Sequence, residues 1–251
     1  MSDARALYLE LLKKSLLGMI YEDPPASPAR VHGWSSPQYI GKFREFGRDV
    51  PSQAHSMIGL RRMTNLQFCI EQVLAEGVPG DLIETGVWRG GAVIFMRGVL
   101  RAHGVRDRTV WVADSFEGLP APDVKGHPAD AAWVPSAGRI SVSLETVRKN
   151  FSRYDLLDNQ VRFLEGWFKD TLPGAPIERL AVLRLDGDLH ESTRDALTNL
   201  YPKVPPGGFV IVDDYNLESC RSAVHEYREV HGIVEPIQDI DGSGVYWRRR
   251  P

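Results

Sequence analysis

The sequence predicts an α/β fold: a mostly parallel sheet with an antiparallel hairpin at its C-terminal end and a helix-and-loop segment at its N-terminus. Three observations carry this. From residue 81 onward, short apolar runs alternate with helical stretches, a pattern that means βαβ units and a sheet covered on both faces. The last two apolar runs instead flank "DGSG", a hairpin turn. The chain has 251 residues, 43% of them hydrophobic, enough for one large core.

Residues 4–20 repeat Leu7, Leu11, Leu12, Leu16 and Met19 at helical spacing, with Lys13 and Lys14 opposite, and so predict an amphipathic opening helix. Its apolar face suits either contacts between copies of the chain or packing on its own domain. Residues 21–43, dense in Pro, Ser and Gly, read as a lid, a substrate loop or an ordinary packed loop. Helical periodicity returns from Ala54 to Glu76 and stops at Gly77 and Pro79. There follow the strand "DLIETG", a helix to about His103, "TVWVADS", a helix near 143–153, "VRFLEG" and a short turn through Trp167. Then come "LAVLRLD", a helix after Glu191 ending before Pro202, "GGFVIVDDY", a last helix "SCRSAVHEYREVHG", and the hairpin "IVEPIQDI…VYWRR".

The formal charge of −3 shows no basic excess, which makes nucleic acid a poor partner. No apolar stretch reaches the roughly 20 residues that span a bilayer, and no signal peptide pattern opens the chain. Two cysteines, Cys69 and Cys220, each in a helical stretch, read as buried thiols, consistent with a cytoplasmic protein.

Ligands of open parallel sheets bind beyond the carboxyl ends of the strands. Here those ends are acidic: Glu84, Asp114, Asp186 with Asp188, and Asp213 with Asp214. "LIETGVWRGG" runs from strand to helix through Gly86, Gly90 and Gly91, which would let the backbone approach a ligand. Its spacing is not G-x-G-x-x-G, and a carboxylate before the first glycine suits an amine or hydroxyl donor. Asp114 stands where an acid accepts from a ribose diol, or where it would cap a helix. In extended chain Asp186 and Asp188 would point the same way, about 6.6 Å apart. Together with Asp213 and Asp214 they crowd like charges that a hard divalent cation would relieve, Mg²⁺ or Mn²⁺ rather than Zn²⁺. The competing reading makes Asp188 and Asp214 helix N-caps. Trp167 and Phe168 could wall a pocket for a planar base or belong to the core. His55, His127 and His190 lie near these loops and read as structural or solvent-facing more readily than as ligands.

With these residues in view the chain resembles the macrocin and mycinamicin O-methyltransferase family, which methylates deoxysugar hydroxyls on bacterial natural products. The resemblance rests on "AHSMIGLRRMTNLQFC", "PGDLIETGVWRGGAVIFMRGVL", "DRTVWVADSFEGLP", "NFSRYDLLDNQVRFLEGWFKDTLP", "ERLAVLRLDGDLHEST", "PGGFVIVDDYN" and "CRSAVHEYREVHGI", in that order over residues 54–249. It implies a Rossmann-like, S-adenosylmethionine (SAM)-dependent methyltransferase domain over 54–251, a helix and lid or substrate loop over 1–53, and a requirement for Mg²⁺. It places Glu84 and Gly86 at the methionine end of SAM, with Thr85 among the same positions. Asp114 and Ser115 fall at the ribose and Gly166, Trp167 and Phe168 around the adenine. Asp186 touches both cofactor and metal, Asp186, Asp213 and Asp214 ligate the metal, and Asp188 is the general base. The acceptor it implies is a glycosylated natural product or an activated sugar, met by a homo-oligomer. Residues 22–40 look longer than in the macrolide enzymes and the segment from Gly118 to Arg139 shorter, which leaves the acceptor open. Two other readings share the strand-and-glycine turn: a nicotinamide-dependent oxidoreductase and a non-catalytic binding subunit.

Overall fold

The computed structural model describes residues 3–27, 29–31, 34–131 and 140–250. Parts of the two segments expected to differ from the macrolide enzymes, residues 28, 32–33 and 132–139, lie outside that description. The elements in chain order are α1 (Ala4–Leu16), β1 (Ala29–Val31), β2 (Trp34–Ser36), α2 (Gly41–Glu45), α3 (Gly59–Ala75), β3 (Asp81–Thr85), α4 (Gly91–Ala102), β4 (Val110–Asp114) and α5 (Leu144–Arg153). They continue as β5 (Val161–Glu165), α6 (Phe168–Thr171), β6 (Leu180–Leu185), α7 (His190–Leu200), β7 (Phe209–Val212), α8 (Glu218–Val230), β8 (Gln238–Asp239) and β9 (Val245–Arg248).

β1 and β2 form a small antiparallel ribbon, and the other seven strands form one sheet in the order β5-β4-β3-β6-β7-β9-β8. The pairs from β5 to β7 are parallel, while β9 runs antiparallel to β7 and β8 to β9, the expected terminal hairpin. The strand order reverses at β3, whose neighbours are β4 and β6, so the crevice beyond its carboxyl end is where a ligand belongs. Alternate strand residues feed two cores. Leu82 and Val182 pack with α1, α3, α4 and α5; Ile83 and Leu183 pack with α7 and α8. Strands buried on both faces read as continuous apolar runs, which is why they were visible in the sequence.

The opening helix is rolled from its expected orientation. Leu9, Leu12 and Leu16 are buried and Lys13 lies with them, its ammonium paired with Glu10 and near Thr64, whereas Leu7 and Leu11 face outward. The helix expected from Ala54, α3, starts late, at Gly59. Residues 55 and 56 are held by other backbone bonds, both N–H groups donating to the Leu16 carbonyl and the His55 carbonyl accepting from Gly91. Cys69 and Cys220 are free and buried. Among the described residues no helix is long and apolar enough to cross a membrane.

The N-terminal segment is bound to this body by buried polar groups. Arg44, without exposed surface, donates to the Asp49 carboxylate at 3.0 and 2.7 Å and to the carbonyls of Leu17 and Asp23. The Asp23 carboxylate in turn accepts from Ser52 and from the N–H groups of Gln53 and Ala54. Buried charges persist only when paired in this way.

Candidate active site

The parallel strands stop in register. Asp186 N–H donates to the Thr85 carbonyl, Asp213 N–H to Leu185, Gly86 N–H to Ala113 and Gly166 N–H to Asp114, so five strand tips are laced side by side. A cavity of about 980 Å³ opens above them. Of the residues expected at the site, Glu84, Gly86, Asp114, Ser115, Trp167, Phe168, Asp186, Asp188, Asp213 and Asp214 line it. Thr85 and Gly166 do not: the Thr85 hydroxyl is buried against the Arg184 carbonyl, and Gly166 packs beside Thr171.

The acid cluster is real and tight. Asp186, Asp213 and Asp214 can each bring a carboxylate oxygen within 4.8 Å of the others. Burial, with neighbouring carboxylates adding to it, pushes Asp213 up to about 6, Asp188 up to about 8 and Asp214 well above the ordinary carboxylate range. Such a set lacks positive charge, and its all-oxygen chemistry fits a hard divalent cation.

Part of the missing charge comes from two arginines that sequence reasoning passed over. Arg184, wholly buried on β6, donates to Glu84 Oε1, to Asp186 Oδ2 at 2.7 Å and to Asp213 Oδ1. Arg62, from α3, donates to Asp213 Oδ2 and to Asp241 Oδ2 at 3.1 Å. An arginine inside the apolar strand "LAVLRL" was the available signal, since a buried guanidinium demands carboxylate partners. Glu84, 2% exposed, keeps one oxygen on Arg184, while its Oε2 is buried without any partner. Burial also pushes Glu84 up to about 8. An orphaned buried carboxylate oxygen at a cavity wall is a receptor for a cationic donor.

Three expectations about local geometry need correction. Asp186 and Asp188 are not joined by extended chain. Leu189 N–H turns back to the Gly187 carbonyl and Asp188 has φ 56°, a left-handed conformation that Asp tolerates better than most residues. Both carboxylates nevertheless line the cavity. Nor are Asp188 and Asp214 helix caps: Leu189 and Leu217 hold those positions, without side-chain capping bonds, and Asp214 Oδ2 instead accepts the Asp188 N–H at 3.2 Å. The glycines of "GVWRGG" serve protein backbone first. A Cβ on Gly86 would lie 1.8 Å from the Asp186 carbonyl oxygen, and one on Gly91 2.5 Å from that of His55.

Asp114 has a structural occupation as well. Its two oxygens accept the N–H groups of Val87 and Phe116, each at 2.7 Å, stapling the β3 turn to the β4 turn. Each oxygen retains a lone pair for a ligand hydroxyl. The Ser115 hydroxyl is engaged within its own turn, donating to Gly118 and accepting from Glu117. The histidines stand apart from the acids. His55 lines the cavity but bonds Tyr154 Oη at 2.7 Å, and burial pushes its pKa down to about 4, so it stays neutral. His190 is buried, stacked on His127 at 3.5 Å, with Nε2 on Glu226; its N–H donates to Asp130 at 3.4 Å. These contacts fasten the loop 117–131, whose Leu119, Pro120 and Ala121 line the cavity, to the start of α7.

The chain is similar to known proteins along nearly its whole length. The chain is 59% identical, over 98% of its length and 94% of the relative's, to the 8-demethyl-8-(2,3-dimethoxy-α-L-rhamnosyl)-tetracenomycin-C 4'-O-methyltransferase of Streptomyces olivaceus. It is 55% identical, over 97% of its length and 96% of the relative's, to the mycinamicin III 3''-O-methyltransferase of Micromonospora griseorubida. The solved structure of the O-methyltransferase NovP superposes with a TM-score of 0.92 at 55% identity, covering 98% of this chain and all of that one. None of these relatives favours an oxidoreductase. Residues 5–249 match the family described as macrocin-O-methyltransferase (TylF), so the chain belongs to that family and is an O-methyltransferase.

Proposed function

We propose that the chain transfers a methyl group from SAM to a hydroxyl of a sugar carried by a bacterial natural product, with Mg²⁺ and a carboxylate base. The relatives named for rhamnosyl-tetracenomycin and mycinamicin support the acceptor class. The observation that carries the chemistry is the juxtaposition, in one cavity, of the three clustered aspartates, Asp188 beside them and the unpartnered oxygen of Glu84. Glu84 Oε2 would accept from the cofactor's ammonium group, Asp114 from its ribose, and Trp167 and Phe168 would flank the adenine. Asp186, Asp213 and Asp214 would hold the metal. Bound there, Mg²⁺ would chelate neighbouring sugar hydroxyls and lower the pKa of the reacting one.

The remaining work belongs to the chain. Asp188 accepts the hydroxyl proton as the oxygen attacks the methyl carbon. Its burial beside Asp186 and Asp213 makes it a stronger base than a surface aspartate. The cavity walls hold oxygen, methyl and sulfur in line, and the methyl carbon inverts without a covalent enzyme intermediate. The outward Leu7 and Leu11 of α1 suit contacts between copies in a homo-oligomer.

The test is turnover of 8-demethyl-8-(2,3-dimethoxy-α-L-rhamnosyl)-tetracenomycin C and mycinamicin III with SAM, followed by mass spectrometry for one added methylene. Product formation that stops with EDTA and returns with Mg²⁺ is expected. Undiminished turnover after complete chelation would remove the metal, and saturable binding of NADH in place of S-adenosylhomocysteine would overturn the cofactor.

A further inference from the structure

Arg184 lies between groups that the proposed function assigns to two different ligands. Register pairs it with Glu84 across β3 and β6, and it sits two residues before Asp186, which lies just beyond the end of β6. One guanidinium nitrogen serves both Glu84 Oε1 and Asp186 Oδ2, and the other serves Asp213 Oδ1. We infer that Arg184 is a positioning residue that sets the cofactor carboxylate and the metal carboxylates with a single side chain. Cofactor affinity and metal affinity then both depend on a group that touches neither ligand. The inference rests on the proposed roles of Glu84, Asp186 and Asp213.

The geometry is specific to arginine. A planar fork with five N–H donors can hold three carboxylates in fixed directions; an ammonium of the same charge is a point that cannot span them. Because Oε1 of Glu84 is held, its second oxygen is fixed in place, buried and without a partner, on a residue that lines the cavity. Rotating Glu84 away would leave both it and Arg184 buried and short of a partner, which the interior penalises. The same bond set aims Asp186 and Asp213 toward Asp214. Arg62 provides an internal contrast. It too is buried, at 7% exposed against 0% for Arg184, and grips Asp213 through its other oxygen, yet its second partner is Asp241 and it makes no bond to Glu84.

The experiment compares the 251-residue chain with its Arg184→Lys and Arg62→Lys variants. S-adenosylhomocysteine binding is read by calorimetry and Mn²⁺ binding by electron paramagnetic resonance. Arg184→Lys is expected to weaken both by about tenfold or more, and Arg62→Lys to weaken Mn²⁺ while leaving S-adenosylhomocysteine within about twofold, tenfold being about 1.4 kcal/mol. If Arg184→Lys binds either ligand as tightly as the unaltered chain, or if Arg62→Lys weakens both alike, the inference is overturned. An unaltered chain that binds neither ligand overturns the proposed function instead. Should Arg184→Lys fail to fold by circular dichroism, the unaltered chain labelled with ¹⁵N-arginine carries the test. A guanidinium signal that moves with Mg²⁺ alone and also with S-adenosylhomocysteine alone is expected, and signals that divide cleanly between the two ligands overturn the inference.

Discussion

Replacing Gly86 by alanine adds one methyl group and should disable the site. The new Cβ would lie 1.8 Å from the Asp186 carbonyl oxygen, so the tips of β3 and β6 must part by about 1.2 Å to reach 3.0 Å, below which real Cβ atoms essentially never come. Gly86 also has φ +86°, where an L side chain adds about 1–2 kcal/mol of strain. With about 1–3 kcal/mol for the forced shift, the loss should be about 2–5 kcal/mol, or roughly 4–20 °C in Tm for a chain of this size. Asp186 is a proposed metal ligand, so a displacement of about 1 Å should lower turnover by about 10²-fold. Differential scanning calorimetry and initial rates with SAM and a rhamnosylated acceptor measure both effects. An alanine variant with unchanged Tm and turnover would refute the argument that the close approach of β3 and β6 sets the site.

Other outcomes follow from the same geometry. Asp188→Asn keeps a residue type that tolerates a left-handed backbone, so it should bind S-adenosylhomocysteine normally while kcat falls by about 10²–10⁴-fold; normal kcat would remove Asp188 as the base. Glu84 and Asp188 are raised to about 8 and Asp213 to about 6. A carboxyl raised on folding stabilises the native state below its unfolded pKa of about 4, and that contribution is lost as pH climbs through the folded value. Without a divalent cation, stability should therefore decline from about pH 4 to about pH 8, and the rise in Tm on adding Mg²⁺ should grow across that window; a pH-independent Mg²⁺ effect would contradict it. Changing Leu7 and Leu11 together to glutamate should lower the mass seen by light scattering without altering Tm, and an unchanged mass would discard α1 as a contact between copies.

The parts legible in the sequence are those whose cause is local. Apolar runs buried on both faces marked β3, β4, β6 and β7, and the acids ending them marked the cavity floor. What escaped depends on residues far apart along the chain. Arg62 meets Asp213 across 151 positions and Arg184 meets Glu84 across 100. A glycine-rich turn looked like room for a ligand; Gly86 and Gly91 do line the cavity, and they also admit backbone from distant parts of the chain, Asp186 and His55. Residues 54–58 have helical periodicity, yet bonds to Leu16 and Gly91 outcompete the helix. The face of α1 was misjudged because Lys13 can be buried when Glu10 and Thr64 receive it.

The Arg44 clamp bears on how ligands enter and leave. Because one guanidinium grips Leu17, Asp23 and Asp49, those residues are fixed feet beside Ser27, Arg48 and Val50, which line the cavity. Peeling those feet away would strand a buried cation, a cost that ordinary loop opening does not carry. A route that left this clamp intact would pass the loop 117–131, whose Leu119, Pro120 and Ala121 also line the cavity. Among the described residues, the contacts of that loop with α7 include a stacked pair of imidazoles and a long hydrogen bond, whose release would leave no buried guanidinium unpaired.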